Sequence, residues 1–221
     1  MLELHHFYLS AASYRVRIGL ALKGLEYRSL PVSLTIGGGE QLQAGYRTLN
    51  PQGLLPTLTD GEFIVSQSLA ILEYLEENHP QPPFLPREPA RRARVRQLAQ
   101  IIVSDIQSLT NLRVLAYLRT TLKATDVQRS MWFRHWLLEG LDALELWLTS
   151  EGQAHRYCLG DEVSLADICL VPLLYSARRF NLSLDDFPRL CAIEVACLAL
   201  EAFQQAHPDR HTEEASMNAI L

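Results

Sequence analysis

Cysteine is scarce in this sequence. None occurs before Cys158, and the four present, Cys158, Cys169, Cys191 and Cys197, form no C-x-x-C pair. That spacing suits reduced thiols in helices and leads to the expectation of a cytoplasmic protein. An apolar run long enough to span a bilayer is missing. The opening MLELHHFYLS also lacks the basic and apolar regions of a signal peptide. Positive charge is in deficit: the net charge is −5 at pH 7, which counts against a dedicated nucleic-acid binder. The glycine run Gly37-Gly38-Gly39 has neither the spacing nor the Lys-Ser/Thr of a phosphate-binding loop, so a nucleotide reading there is poor. His207 and His211 are four apart, but Pro208 breaks any helix between them, and no metal is expected. No internal repeat is present. What is there is an ordinary globular mix, 48% hydrophobic and 20% charged, in 221 residues, enough for one large domain or two small ones.

The order of elements supports two domains. Residues 2–8 have strand character, and helical text runs from Tyr14 to a C′ glycine at Gly24. Residues 27–34 then alternate loosely as a second strand, so the two strands should be parallel across a βαβ unit. Residues 40–49 suggest a short irregular helix. Residues 80–89, PQPPFLPREP, hold five of the eleven prolines and read as a stiff linker. Beyond it the text is helical: a long helix over 89–117, a second over 125–148, a third over 164–180 and one or two more over 188–203. Trp132, Trp136 and Trp147 are expected in the core. Ser164 and Asp167 have capping-box spacing, and losing either should cost roughly 0.5–2 kcal/mol. The basic helix start, Arg87, Arg91, Arg92, Arg94 and Arg96, opposes the macrodipole and reads as a solvated or dimer face.

Residues 50–75, NPQGLLPTLTDGEFIVSQSLAILEYL, organise the rest. They read as strand, turn at Asp60-Gly61, strand and helix. Pro56 belongs at the edge, the start or a bulge of its strand. With Leu55-Pro56 cis, the Leu55 N–H and C=O could pair with an extended peptide. Ser66-Gln67-Ser68 sets small polar side chains and free N–H groups at a helix N-terminus, a seat for a carboxylate. A short peptide with a free α-carboxylate suits both features. An edge proline beside an ordinary N-cap is the plainer alternative.

These residues resemble the glutathione-binding half of glutathione transferases. The segments SYRVRIGLALKGLEYRSLPVSL (13–34), LNPQGLLPTL (49–58), QSLAILEYLEE (67–77), YCLGDEVSLADICLVP (157–172) and ARRFNLSLDDFP (177–188) resemble the zeta class in particular, which includes maleylacetoacetate isomerases. The resemblance implies a thioredoxin-like α/β domain, βαβ-α-ββα, over residues 1–80, a linker over 81–89 and an all-α domain over 90–221. It also implies a homodimer acting on glutathione and a small electrophilic or maleyl dicarboxylate substrate.

By the same resemblance Gln67 and Ser68 contact the γ-glutamyl unit, Leu55 and Pro56 the cysteinyl unit, and Thr110 and Asn111 add contacts from the long helix. Ser10 supplies the hydroxyl that stabilises the thiolate, and Arg179 faces a substrate carboxylate. Tyr8 is a rival hydroxyl donor. The zeta pattern Arg-Ser-Ser-Cys is here Leu9-Ser10-Ala11-Ala12, so one serine is kept and the arginine, second serine and cysteine are replaced. The resemblance implies isomerisation of a maleyl dicarboxylate by reversible addition of the thiolate. The alternatives are conjugation of glutathione to electrophiles, or a non-catalytic binding module. A disulfide oxidoreductase is disfavoured, because the first helix begins without a cysteine.

Overall fold

Strand β1 (Leu2–His6) turns Leu2, Leu4 and His6 inward and Glu3 and His5 to the other face. The chain turns over Phe7–Ser10 and enters α1 (Ala11–Leu22), capped by the Ser10 side chain. Gly24 follows its Lys23 C-cap at φ +64°, as the sequence suggests. Strand β2 (Tyr27–Pro31) then runs parallel to β1. A short helix α2 (Ala44–Arg47) follows two turns of 3₁₀ helix at Ile36–Gly38 and Glu40–Leu42. Strands β3 (Thr57–Asp60) and β4 (Phe63–Ser66) form an antiparallel hairpin, and α3 (Ser68–Asn78) closes the unit. The sheet order is β2-β1-β3-β4, with β3 antiparallel to β1. This is the thioredoxin-like βαβ-α-ββα arrangement. The structure is a computed structural model that describes residues 1–150 and 155–212.

The hairpin turn sits one residue later than expected. Asp60 pairs with Phe63, so the central residues are Gly61 and Glu62, and Gly61 takes φ +60° as the first central position of a type II′ turn requires. Helices α1 and α3 pack on one side of the sheet through Gly19. A Cβ there would lie 2.3 Å from Leu72 Cδ2, so a larger residue would force the buried Leu72 side chain to shift. At the end of this unit Glu76 Oε2 accepts from Lys23 Nζ at 2.7 Å and from the Phe84 N–H at 2.9 Å, tying the proline-rich segment to α1 and α3.

A second unit spans Leu85–Cys197. It opens with α4 (Pro89–Gln100), where the expected long helix begins but does not continue unbroken. Residues Ile101–Ile106 widen to a π-helical stretch, α5 (Gln107–Thr110) is short, and α6 (Leu112–Thr120) restarts after Asn111. The break has a local cause: Asn111 is extended (φ −63°, ψ 147°) and its Oδ1 accepts from the Arg113 N–H at 3.0 Å, making it an N-cap. The unfavourable basic start of α4 is offset by Glu88, whose carboxylate accepts from the Ala90 and Arg91 N–H groups and is held below its usual pKa by them.

Helix α7 (Asp126–Ser150) buries Phe133, Leu137, Leu141, Leu144 and Leu148. The three tryptophans fall beside that stripe rather than in it, which corrects the expectation of a tryptophan core. Trp147 is 36% exposed under the Arg94 guanidinium, and Trp132 Nε1 donates to the Leu109 carbonyl. Helix α8 (Leu165–Arg179) carries the expected capping box. The buried Asp167 carboxylate accepts from the Ser164 N–H and hydroxyl and also from the Cys158 N–H. Helix α9 (Pro188–Leu198) starts on Glu145, which accepts from the Arg189 and Leu190 N–H groups.

The chain from Leu198 departs from the expected partition, in which everything after the linker was helical domain. Helix α10 (Glu201–Ala206) packs on α1 and belongs with the first unit, Met1–Phe84. The reason is a buried cation on α1: Arg17, 1% exposed, donates from Nε to the Ala206 carbonyl at 3.0 Å. Its other nitrogens reach His6 Nδ1 at 3.2 Å and the Tyr8 carbonyl at 3.0 Å. Because Nδ1 accepts, Nε2 of His6 carries the proton and donates to Ser29 Oγ at 2.6 Å. The expected polar tail after Pro208 lies partly in residues 213–221, outside the described residues.

Candidate active site

The register of the sheet brings three sequence features to one end. His5 pairs with Thr57, and Thr57 pairs with Ser66. The exit of β1, the entry of β3 and the exit of β4 are therefore level. The Tyr8–Ser10 turn, Leu55-Pro56 and Gln67-Ser68 all project from that end, which is the carboxyl end of β1, where α/β sheets commonly bind ligands. Two strand spacings separate the first feature from the third, about 10 Å, which is about the length of an extended tripeptide.

At the β4 side, α3 begins without help. Gln67 is its N-cap residue with φ 72°, a left-handed backbone rare outside glycine, and no side chain caps the helix. The Gln67 amide is instead turned to Gln52 Oε1, 2.7 Å away. Ser68 is only 4% exposed, and the first turn holds no acidic residue. The N–H groups of this first turn have no side-chain cap, and no acidic residue offsets the helix dipole there, an arrangement favourable to an anion.

In the middle, the Leu55-Pro56 bond is cis and Pro56 stands just before β3. The preceding Leu54 carbonyl is fixed by Tyr46 Oη at 2.7 Å and Asn50 Nδ2 at 2.8 Å. Burial pushes the Tyr46 hydroxyl pKa up, so it remains a protonated donor. Among the described residues no protein group takes the Leu55 N–H or C=O, which stay available to an extended ligand. The sequence reading missed Tyr46 and Asn50. The NPQG turn carried a signal for Asn50, whose Oδ1 accepts from the Gln52 N–H as in an Asx turn.

At the β1 side, Ser10 Oγ accepts from the Ser13 N–H at 3.2 Å. A hydroxyl that accepts still has its own proton to give, so capping and donation outward are compatible roles. No acidic residue lies in the first turn of α1 either. Tyr8, the rival donor, stacks edge-on against Phe7, with centroids 4.9 Å apart. Leu9, Ala11 and Ala12 add no charge to the turn.

The remaining candidates belong to the second unit. Thr110 ends α5 and donates to the Ile106 carbonyl at 2.9 Å. Asn111 spends its Oδ1 on capping α6, rather than lying on an unbroken long helix as expected. Arg179 is the last residue of α8, exposed at a helix C-terminus, where its charge suits the dipole. Its neighbour Arg178 is the one that pairs with buried Glu194, at 2.6 Å.

The sheet order and the helices on it define a protein with a thioredoxin-like domain followed by a helical one. Profiles described as "Glutathione S-transferase, N-terminal domain" and "Glutathione S-transferase, C-terminal domain" match residues 4–83 and 136–201. The chain belongs to the glutathione S-transferase family, in its zeta class. It is 46% identical over 209 residues to the maleylacetoacetate isomerase of Pseudomonas aeruginosa, covering 94% of this chain and 96% of that one. It is 41% identical over 214 residues to the maleylpyruvate isomerase of a Ralstonia species, covering 97% of this chain and all of the other (100%). A crystal structure of maleylacetoacetate isomerase from Methylobacterium extorquens AM1, with bound malonate and glutathione, superposes with a TM-score of 0.90 at 38% identity, covering 94% of this chain and 97% of that one.

Proposed function

We propose that this enzyme is a glutathione-dependent cis–trans isomerase of a maleyl dicarboxylate such as maleylacetoacetate or maleylpyruvate. The observation that carries the reading is the alignment of the uncapped α3 N-terminus, the open Leu55 backbone and the Ser10 turn at one sheet end, in the order and span of a tripeptide. The activities named for its relatives support it. Bound glutathione supplies a thiolate that adds reversibly to the conjugated double bond, frees rotation about the resulting single bond and leaves again. The chain's own residues prepare that step. Gln67, Ser68 and the α3 N-terminus hold the γ-glutamyl carboxylate, and Leu55 and Pro56 hold the cysteinyl unit in extended form. The Ser10 hydroxyl donates to the sulfur, and the α1 dipole adds to the same stabilisation. For Arg179, Thr110 and Asn111 the proposal rests on the family resemblance alone, which gives them roles toward a substrate carboxylate and toward glutathione. We place the enzyme in the cytoplasm as a homodimer. The cysteine pattern, with no C-x-x-C pair, supports the first proposal, and the family resemblance supports the second, with the basic start of α4 as a candidate contact.

A second reading is favoured by one observation: Leu9, Ala11 and Ala12 leave the turn without charge, which suits a less carboxylated electrophile and simple conjugation. Maleylacetoacetate, maleylpyruvate and a generic aryl halide are assayed side by side with a glutathione balance. Isomerisation predicts conversion to the trans isomer with glutathione conserved. Consumption of one glutathione per turnover, on the aryl halide alone, contradicts it.

A further inference from the structure

Two buried polar residues of α1, Ser13 and Arg17, are not used by the mechanism above. They follow the N-cap Ser10 at spacings of three and four, so all three share one helix face pointing back at the β1–α1 turn. Ser13 and Arg17 are buried to 0% and 1%. Each grips the turn at a different point. Ser13 Oγ accepts from the Phe7 N–H at 3.3 Å, the Ser13 N–H donates to Ser10 Oγ, and Arg17 donates to the Tyr8 carbonyl. The Phe7 carbonyl in turn accepts from the Ser10 N–H at 3.0 Å. Arg17 is itself braced from outside, by His6 on the sheet and by the Ala206 carbonyl of α10. The ionisable groups around this face are His6, bonded to Arg17, and Tyr14, whose ring centroid lies 5.4 Å from the Arg17 guanidinium carbon. From the returning segment come His211 against the His6 ring and His207 against the Tyr14 ring, both at 5.9 Å.

We propose that Arg17, with Ser13, is a positioning residue that aims the Ser10 hydroxyl by fixing the Tyr8–Ser10 turn, and that α10 completes the brace. The inference rests on the reading of Ser10 as the thiolate's donor. A guanidinium is suited to the task because its planar fork serves three acceptors at once in fixed directions, which an ammonium cannot do. A turn held only by its own backbone would let the hydroxyl drift, and a hydrogen bond to a thiolate falls off steeply with misalignment.

The test compares pH–rate profiles and glutathione KM for wild type, Ser10→Ala, Arg17→Lys, Ser13→Ala and the Ser10→Ala/Arg17→Lys double variant, with thermal melts as a check on folding. Arg17→Lys should lower kcat about tenfold at neutral pH, recover at alkaline pH as a one-unit rise in the thiol pKa demands, and leave glutathione KM nearly unchanged. The double variant should be no slower than Ser10→Ala, because Arg17 acts through Ser10. A folded Arg17→Lys with the wild-type profile, or losses that multiply in the double variant, overturns the inference while leaving the role of Ser10 intact. If Ser10→Ala alone leaves the profile unmoved, the Ser10 reading falls and this inference falls with it. If Arg17→Lys does not fold, Ser13→Ala decides: a smaller shift of the profile in the same direction supports the brace, and an unmoved profile refutes it.

Discussion

Ser10 Oγ accepts from the Ser13 N–H and still carries its own proton, which the proposed mechanism gives to the sulfur. A hydrogen bond to a charged acceptor is worth roughly 1.5–3 kcal/mol, so losing it raises the bound thiol's pKa by about one to two units. Ser10→Ala should therefore slow turnover about ten- to a hundredfold at neutral pH, with the loss shrinking as pH rises and the thiolate forms unaided. Tyr8→Phe should leave the pH–rate profile in place, and a shift in that variant instead would move the donor to Tyr8. At the other end of the tripeptide, Ser68→Ala should weaken retention on immobilised glutathione, and equal retention would argue against a carboxylate at α3. The local structure at Ser10, Pro56, Gln67 and Ser68 was legible in the sequence because each is announced by its neighbours: a polar turn before a helix, a proline opening a strand, small polar residues at a helix start. Arg17 was not. An arginine in an amphipathic helix reads as solvated, and its braces are the Tyr8 backbone and a carbonyl 189 residues away.

Among the elements, caps decide where the second unit's helices begin. The capping box of α8 was legible because Ser164 and Asp167 have the right spacing, but the structure gives Asp167 more to do. Its buried carboxylate serves three donors, one of them the Cys158 N–H from outside the helix. Asp167→Ala should then cost about 3 kcal/mol, at about 1 kcal/mol for each donor left unsatisfied, above the 0.5–2 kcal/mol of an ordinary cap. Urea unfolding gives the value, and a loss under about 1 kcal/mol would show that the donors find other partners. The breaks around Asn111 escaped the sequence reading because apolar periodicity runs through them. Asn111 was read only as a polar contact on the long helix, not as a cap. Glu88 was overlooked for a related reason: glutamate is an uncommon N-cap, and the arginines after it dominate the text.

At the scale of the molecule, the sequence conveyed the order βαβ-α-ββα followed by helices because period and punctuation are local. It did not convey the return of α10 to α1, which depends on one buried cation and a distant carbonyl. A homodimer predicts a scattering mass near twice the 25.0 kDa of the chain at micromolar concentration, and a lone 25 kDa species would remove it. The most direct test of the central claim, that the aligned sheet end binds glutathione as its thiolate, is to titrate the ultraviolet thiolate absorbance of glutathione bound to the intact protein. The site predicts thiolate at neutral pH, with a midpoint at least one unit below the value near 8.5 of an ordinary free thiol. A bound thiol that titrates at or above that value would contradict it.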